Sequence, residues 1–366
     1  MAEYKNSIAQ DRVQFPIETI IRPQSGEQFS KVAIYIDSTD VATYLGKEVQ
    51  AGGMTTILSS NYASETKGAL LNHLALFFAS ATTGVVYVIV AQADDEDLSK
   101  TFASTKEMAY FKTALSETKM VAMNTAIAKL CGASVEDSQH FVTVADAITG
   151  GALPADSLSK ALVDAKYPSF VKYHPSEDIA IAQIGKTIST TNGSGTPVGN
   201  SLDMIAMTNI TASGANEANL STDSKSNLDK IRVGYATSVS GSSTSVAVEG
   251  SMDLAGNSVG AKWMKAYISY MCRIETAGFI TQGNIFNNST SYTTICAILR
   301  GQVSSFEQIG RLKDVYYNFP SYAEAVKANY IFGDTINIPT AWEATYVDNV
   351  REVRIYGTLY VEQPTR

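Results

Sequence analysis

Residues 228–277 read LDKIRVGYATSVSGSSTSVAVEGSMDLAGNSVGAKWMKAYISYMCRIETA. Ile231, Val233 and Tyr235 alternate with polar or small residues, as do Val246 and Val248, and the Gly- and Ser-rich run 238–245 separates the two sets. That pattern predicts a β-hairpin, because side chains of a strand alternate between its faces. DLAGNSVGAKW then supplies turn residues and a helix start. From Trp263 the apolar positions Tyr267, Tyr270, Met271 and Ile274 follow at spacings of three and four, which places them on one stripe of a helix. Gly278 stands where a C-terminal cap is expected.

Working upstream, the texture is α/β. KVAIYI (31–36) and MTTIL (54–58) read as strands. The segment 64–81 reads as a helix with Leu70, Leu74, Phe77 and Phe78 on one face. GVVYVIVA (84–91) is an uninterrupted apolar run, the signature of a strand buried on both faces of a helix-covered sheet. Helices are expected over 104–117 and 120–131, a strand over 140–146, a helix over 158–165 and a strand over 168–175. Strands alternating with helices imply right-handed crossovers. The runs 189–200 and 212–229 are rich in turn formers and read as loops.

Downstream of the hairpin, Ile295, Ile298, Leu299, Val303 and Phe306 keep helical spacing, with Gly301 a weak point, so 291–315 predicts two helices or one bent helix. The two ends of the chain are different. FPIETIIRP (15–23) is apolar and bracketed by Pro16 and Pro23, which disfavours helix and suits an extended arm or an edge strand. REVRIYGTLYVEQ (351–363) has the cleanest alternation in the chain, with Val353, Ile355, Leu359 and Val361 pointing one way. A half-buried strand at that position can pair with its own sheet or with a neighbour's. No fixed-period repeat runs through the chain.

Several function classes lose support from the totals. With 28 basic and 36 acidic residues the net charge is −8 and the pI about 5.0, and no basic cluster suited to nucleic acid is present. Cys131, Cys272 and Cys296 are far apart and lack a CxxC pair, so they read as reduced, buried thiols. The first residues are too polar for a signal peptide, and the longest apolar run is far short of a membrane span, which points to assembly in a cytoplasm without membrane insertion. Charged residues make up only 17%, a bias that suits protein contacts and surface loops alike.

Motifs for chemistry are weak. AIAQIGKT (180–187) fits a relaxed phosphate-binding loop and would support an α/β nucleotide-binding enzyme, but Ile181, Ala182, Gln183 and Ile184 look like the filling of a helix ending at Gly185. The GxGxxxG spacing near Gly193 follows no strand and contains Pro197. Asp94, Asp95, Glu96 and Asp97 lack the spacing of a calcium loop and read as solvated charge. His73 lies among leucines and reads as a packed helical histidine, while His140 and His174 stand alone in the sequence. No catalytic residue, cofactor or metal is assigned.

The order of hairpin, Asp- and Gly-containing turn, Trp263 and long helix resembles the carboxy-terminal core of contractile tail sheath proteins of phages and related contractile injection systems. The likeness covers roughly the last 140 residues. It implies an α/β fold (mixed α+β) in four parts: an extended arm over 1–23, an α/β body with surface loops over 24–227, a helix-rich core over 228–345 and an exchangeable strand over 346–366. It further implies a structural virion protein, assembled in the host cytoplasm into a virion tail. Such subunits polymerise in stacked rings or a helix around a tail tube protein, meet baseplate and tail terminator proteins, and contract to drive the tube through an envelope. On this resemblance the inter-subunit strand contacts fall to Phe15, Ile17, Ile20, Ile21, Val353, Ile355, Leu359 and Val361. A tail tube or other virion lattice protein is the nearest structural alternative.

Overall fold

The computed structural model describes residues 31–347 except 38–40, 47–52, 66–67, 82–83, 92–108, 113–124, 126–127, 129–138, 146–157, 190–205, 208, 215–218, 239–245, 251, 282–286, 333–334 and 339–340. In chain order the strands are β1 (Lys31–Asp37), β2 (Met54–Leu58), β3 (Val85–Ala91), β4 (Ala109–Lys112), β5 (His140–Val144), β6 (Ser169–Tyr173), β7 (Ala206–Met207), β8 (Gly234–Ser238), β9 (Val246–Glu249), β10 (Leu312–Tyr317), β11 (Ile331–Phe332), β12 (Thr335–Ile336) and β13 (Trp342–Tyr346). The helices are α1 (Val41–Leu45), α2 (Tyr62–Glu65), α3 (Leu70–Phe78), α4 (Leu158–Ala165), α5 (Ile179–Ser189), α6 (Thr222–Lys230), α7 (Val259–Thr281), α8 (Ser289–Gln308) and α9 (Tyr322–Lys327).

The first nine strands form one sheet in the order β2-β3-β1-β4-β5-β6-β8-β9-β7. From β3 to β8 every pairing is parallel, and antiparallel partners finish both margins. Parallel strands need both faces covered, since their crossovers lay helices on either side. Alternation within β1 shows this directly: Val32, Ile34 and Ile36 join a core with Leu74 and Phe77 of α3, Ile181 and Ile184 of α5 and Val259 of α7. On the opposite face Val142, Val144 and Val171 pack with Leu162 of α4, Leu228 of α6 and Ala128. The body is therefore helix, sheet, helix, an α/β fold as expected.

Helix α7 carries two stripes. Tyr267, Met271 and Ile274 lean on the body core, while Met264, Ile268 and Cys272 pack with Leu299, Val303 and Phe306 of α8. The hairpin and long helix that open the sequence reading thus join the sheet to everything after it. Strand β8, downstream of residue 228, pairs in parallel with β6 upstream. The change of sequence texture at 228 does not coincide with an edge of the sheet.

Some expectations are corrected. Within 104–117, predicted as helix, Ala109–Lys112 is a strand pairing with β1 and β5, and tertiary pairing overrides a local helical pattern there. Within the 212–229 loop, Thr222–Lys230 is a helix, its start capped by Ser221, whose hydroxyl accepts from Ser224 N. Ile231 and Val233 precede the strand, which begins at Gly234. The three helices with internal glycines run on, through Gly185 to Ser189, through Gly278 to Thr281 and through Gly301 to Gln308. Residues 312–315, expected in helix, open β10.

Candidate assembly surface

After α8 the chain turns at Gly310, where φ is +74°, and enters β10, which pairs antiparallel with β13. Lys313 opposes Thr345 and Tyr316 opposes Glu343, so three steps on one strand match two on the other. The extra residue is accommodated by a bulge at Asp314, which sits in the left-handed region at φ +52°. That bulge keeps the two strands in phase. Leu312, Val315 and Tyr317 face inward with Trp342, Ala344 and Tyr346, against α7 and α8. Lys313, Tyr316, Glu343 and Thr345 are exposed, Tyr316 by 68%.

Two features make this small sheet a candidate surface. Among the described residues β10 and β13 pair only with each other, so each presents a second backbone edge. Of the six inward side chains only Leu312 is fully buried, and the other five are half-buried. Two strands alone are a marginal sheet, and a further strand would extend the ladder and cover those flanks. Val347, whose N–H donates to Arg311 O at 2.9 Å, leads out of β13 toward residues 348–366.

Beside β10 lies a cationic shelf. The Arg300 guanidinium of α8 sits 5.0 Å from the Tyr317 ring centroid and 5.9 Å from that of Phe319, and the two rings stack 6.1 Å apart at 19°. Tyr317 Oη donates to Arg300 O at 3.5 Å. Burial pushes the Tyr317 phenol up, Glu307 adds to the rise and Arg300 opposes it. Sequence reasoning missed this sheet because KDVYY and WEATY are short and mixed, and their amphipathic character emerges only through the bulge.

The expected contact residues Phe15, Ile17, Ile20, Ile21, Val353, Ile355, Leu359 and Val361 lie outside the described residues, as do Asp94–Asp97 and the glycines near Gly193. The 180–187 segment is helix, as its filling suggested, with Ala180 N donating to Thr143 Oγ1 at 2.9 Å and Ile181 N to Asp178 Oδ1 at 3.4 Å. Its N–H groups are engaged in helix and cap rather than turned around a phosphate cradle.

The polar groups nearest to a catalytic pattern hold the fold. Thr143 Oγ1 donates to Asp178 Oδ1 at 2.6 Å, and His73 Nδ1 lies 3.4 Å from the other Asp178 oxygen. Since Thr143 also accepts from Ala180 N, its hydroxyl ties β5 to the start of α5. His174 Nδ1 accepts from Ser176 N and Glu177 N, which places its proton on Nε2, 3.2 Å from Thr211 O. Lys172, wholly buried, donates to Gly250 O. Cys272 and Cys296 are buried free thiols, as expected. Among the described residues no group of His, Cys, Asp and Glu is arranged to hold a metal, and no helix is long and apolar enough to cross a membrane.

The fold is one found in chains of contractile injection systems. A chain of the contracted sheath complex of PVC, an extracellular contractile injection system, aligns with a TM-score of 0.56 and 14% identity over 90% of this chain and 91% of its own. A chain of the anti-feeding prophage (AFP) baseplate aligns with a TM-score of 0.59 and 11% identity, over 95% of this chain and 100% of its own. No protein-family model and no curated protein sequence matches. Nearly whole-length agreement on both sides means the shared fold includes the body and the part built on α7 and α8.

Proposed function

We propose that this chain is a structural, non-enzymatic subunit of a contractile sheath, polymerising helically around an inner tube and contracting to drive that tube through an envelope. The observation that carries the reading is the fold shared across 90% of the chain with a chain of the PVC sheath complex. The half-covered β10–β13 sheet supplies a physical means of linkage. In this reading the arm around Phe15, Ile17, Ile20 and Ile21 and the strand around Val353, Ile355, Leu359 and Val361 add to that sheet in neighbouring subunits. Four to six backbone hydrogen bonds at about 1 kcal/mol net each, with burial of flanking side chains, would contribute several kcal/mol per link. Contacts between the α/β bodies could then exchange on contraction while the strand links hold. A heterologous contact that does not close builds a tube from one sequence.

Tail tube, baseplate and tail terminator proteins are the partners this role requires, and a virion or injection-particle tail is its place. The likeness to a chain of the AFP baseplate favours a second reading, a subunit confined to the end of such a particle. Negative-stain electron microscopy with sedimentation across protein concentration separates them. Long hollow striated tubes are expected of a sheath subunit, whereas isolated rings favour the baseplate. Removal of residues 1–23 should abolish tubes while leaving a folded monomer, and stable tubes without that arm would remove it from the mechanism.

A further inference from the structure

We propose that β2 is the docking edge for a second copy of this chain. The β2 strands of two copies pair antiparallel about a two-fold axis at Thr55, so that the large sheet continues from one subunit into the next. The inference goes beyond the sheath reading and does not rest on it. A two-fold contact closes on itself and does not propagate along a tube whose subunits all point one way, so the pair belongs to the free subunit.

Strand β2 ends the large sheet on one side, and among the described residues its only strand partner is β3. The phase of that pairing fixes which groups are left over. Val90 N donates to Gly53 O at 2.9 Å, so in this antiparallel ladder Thr55 and Ile57 also direct their backbone groups to β3, while those of Met54, Thr56 and Leu58 point outward. Leu58 is satisfied by its own turn, its N–H donating to Asn61 Oδ1 at 2.7 Å and its carbonyl accepting from Asn61 N at 3.0 Å. Met54 and Thr56 remain as the open donors and acceptors of the edge. The same three residues put their side chains on the face away from Ile57 and the core, with Met54 54% and Leu58 42% exposed. Edge strands of soluble proteins are normally guarded by charge, proline or a bulge. Strand β2 has none of these, since MTTIL is uncharged and its register against β3 is unbroken.

The strand is complementary to itself. With Thr55 opposite Thr55 of the second copy, Met54 falls opposite Thr56 on either side of the axis, and each of these pairs exchanges both of its N–H···O bonds. The ladder then uses the open groups of Met54 and Thr56 and stops at Leu58, whose own are taken. On the exposed face Met54 of one copy becomes the diagonal neighbour of Leu58 of the other, within reach of a long side chain. The two Thr55 side chains meet across the axis, a pairing that antiparallel strands favour. Other open edges of this chain fit less well. Strands β10 and β13 carry Lys313, Asp314 and Glu343, which would bring charge against an uncharged strand, and their ladder is bulged.

The test is sedimentation velocity of the full chain, cleared of polymer by pelleting, from about 5 to about 200 µM, a range suited to a small interface. A monomer passing to a dimer and no further is expected. Met54→Lys places a charge on the edge, and Thr56→Pro removes an outward N–H without touching the β3 ladder. Each, in a chain whose thermal melting is unchanged, should raise the dissociation constant about tenfold. Phe332→Ser, at an exposed aromatic elsewhere, should leave it unchanged. Thr55→Cys should give a disulfide-linked dimer on oxidation, absent from the unmodified chain, because facing residues of a non-hydrogen-bonded antiparallel pair lie about 4.5 Å apart at Cα. A monomer at every concentration, association insensitive to Met54→Lys, growth beyond a dimer, or failure of Thr55→Cys to cross-link each overturns the two-fold pairing. Electron microscopy reads sheath assembly separately. Tubes are expected from the Met54→Lys chain as from the unmodified one, and their selective loss would place β2 among the contacts of the tube and overturn the pairing. Absence of tubes from the unmodified chain counts against the sheath reading alone.

Discussion

His140 begins β5 wholly buried, with Nδ1 2.8 Å from Ser169 Oγ. Burial first, and the positive charge of Lys262 second, pull its pKa from 6.5 down to about 3. The folded state therefore refuses a proton that the unfolded chain accepts. Stability from this residue is fully present above about pH 6.5 and is lost as pH falls toward 3, at about 1.4 kcal/mol per pH unit. Urea unfolding of His140→Gln between pH 4 and 7 should show a pH slope shallower by about that amount, and an unchanged slope would assign the acid sensitivity elsewhere. In the sequence His140 is one of three scattered histidines, and nothing local reveals whether its ring is wet. Burial of a ring is a property of what packs over it.

Glycine inside a helix poses the corresponding problem for elements. Gly185 lies in α5 where that helix crosses α3, and a Cβ there would stand 2.5 Å from Phe77 O, a backbone atom that cannot swing aside. In α8 a Cβ on Gly301 would meet nothing within 4 Å. Gly→Ala in an open helix interior gains about 0.5–1 kcal/mol, while forcing apart a packed crossing costs about 1–3 kcal/mol. Gly301→Ala should therefore raise the melting temperature and Gly185→Ala should lower it. If both substitutions stabilised the protein, close packing would not be the reason for Gly185. The same contrast explains an error of sequence reading. Gly185 and Gly278 looked like helix ends because glycine favours caps, yet one is required by a neighbouring helix and the other is tolerated on an exposed face. Helix α6 escaped notice for a different reason, since it buries only Leu228 and so carries little periodic signal.

At the scale of the molecule, a long sheet joins residues far apart in sequence. Tyr235 and Val233 complete a core with Val142, Val144 and Val171, and β8 covers the edge of β6. A fragment ending at residue 227 should consequently expose that edge and half of that core. We expect it to aggregate on expression and to show no cooperative thermal transition by circular dichroism. A soluble fragment melting cooperatively would instead make the 24–227 body an independent unit. Helix α7 extends the dependence, because opposite stripes of one helix serve the body and the β10–β13 region.

The apolar runs of 31–36, 84–91 and 140–144, the alternation of Val246 and Val248, and the three-and-four spacing in α3 and α7 were legible from the chain alone, because local backbone geometry and burial leave their pattern on consecutive residues wherever they occur. The α/β class followed from their order. Strand neighbours were not legible, nor were the strand character of Ala109–Lys112, the bulge that aligns β10 with β13 and the aromatic shelf beneath Arg300. Each of these depends on groups brought together from separate parts of the chain, and the free energy that selects them arises only once those groups are in contact.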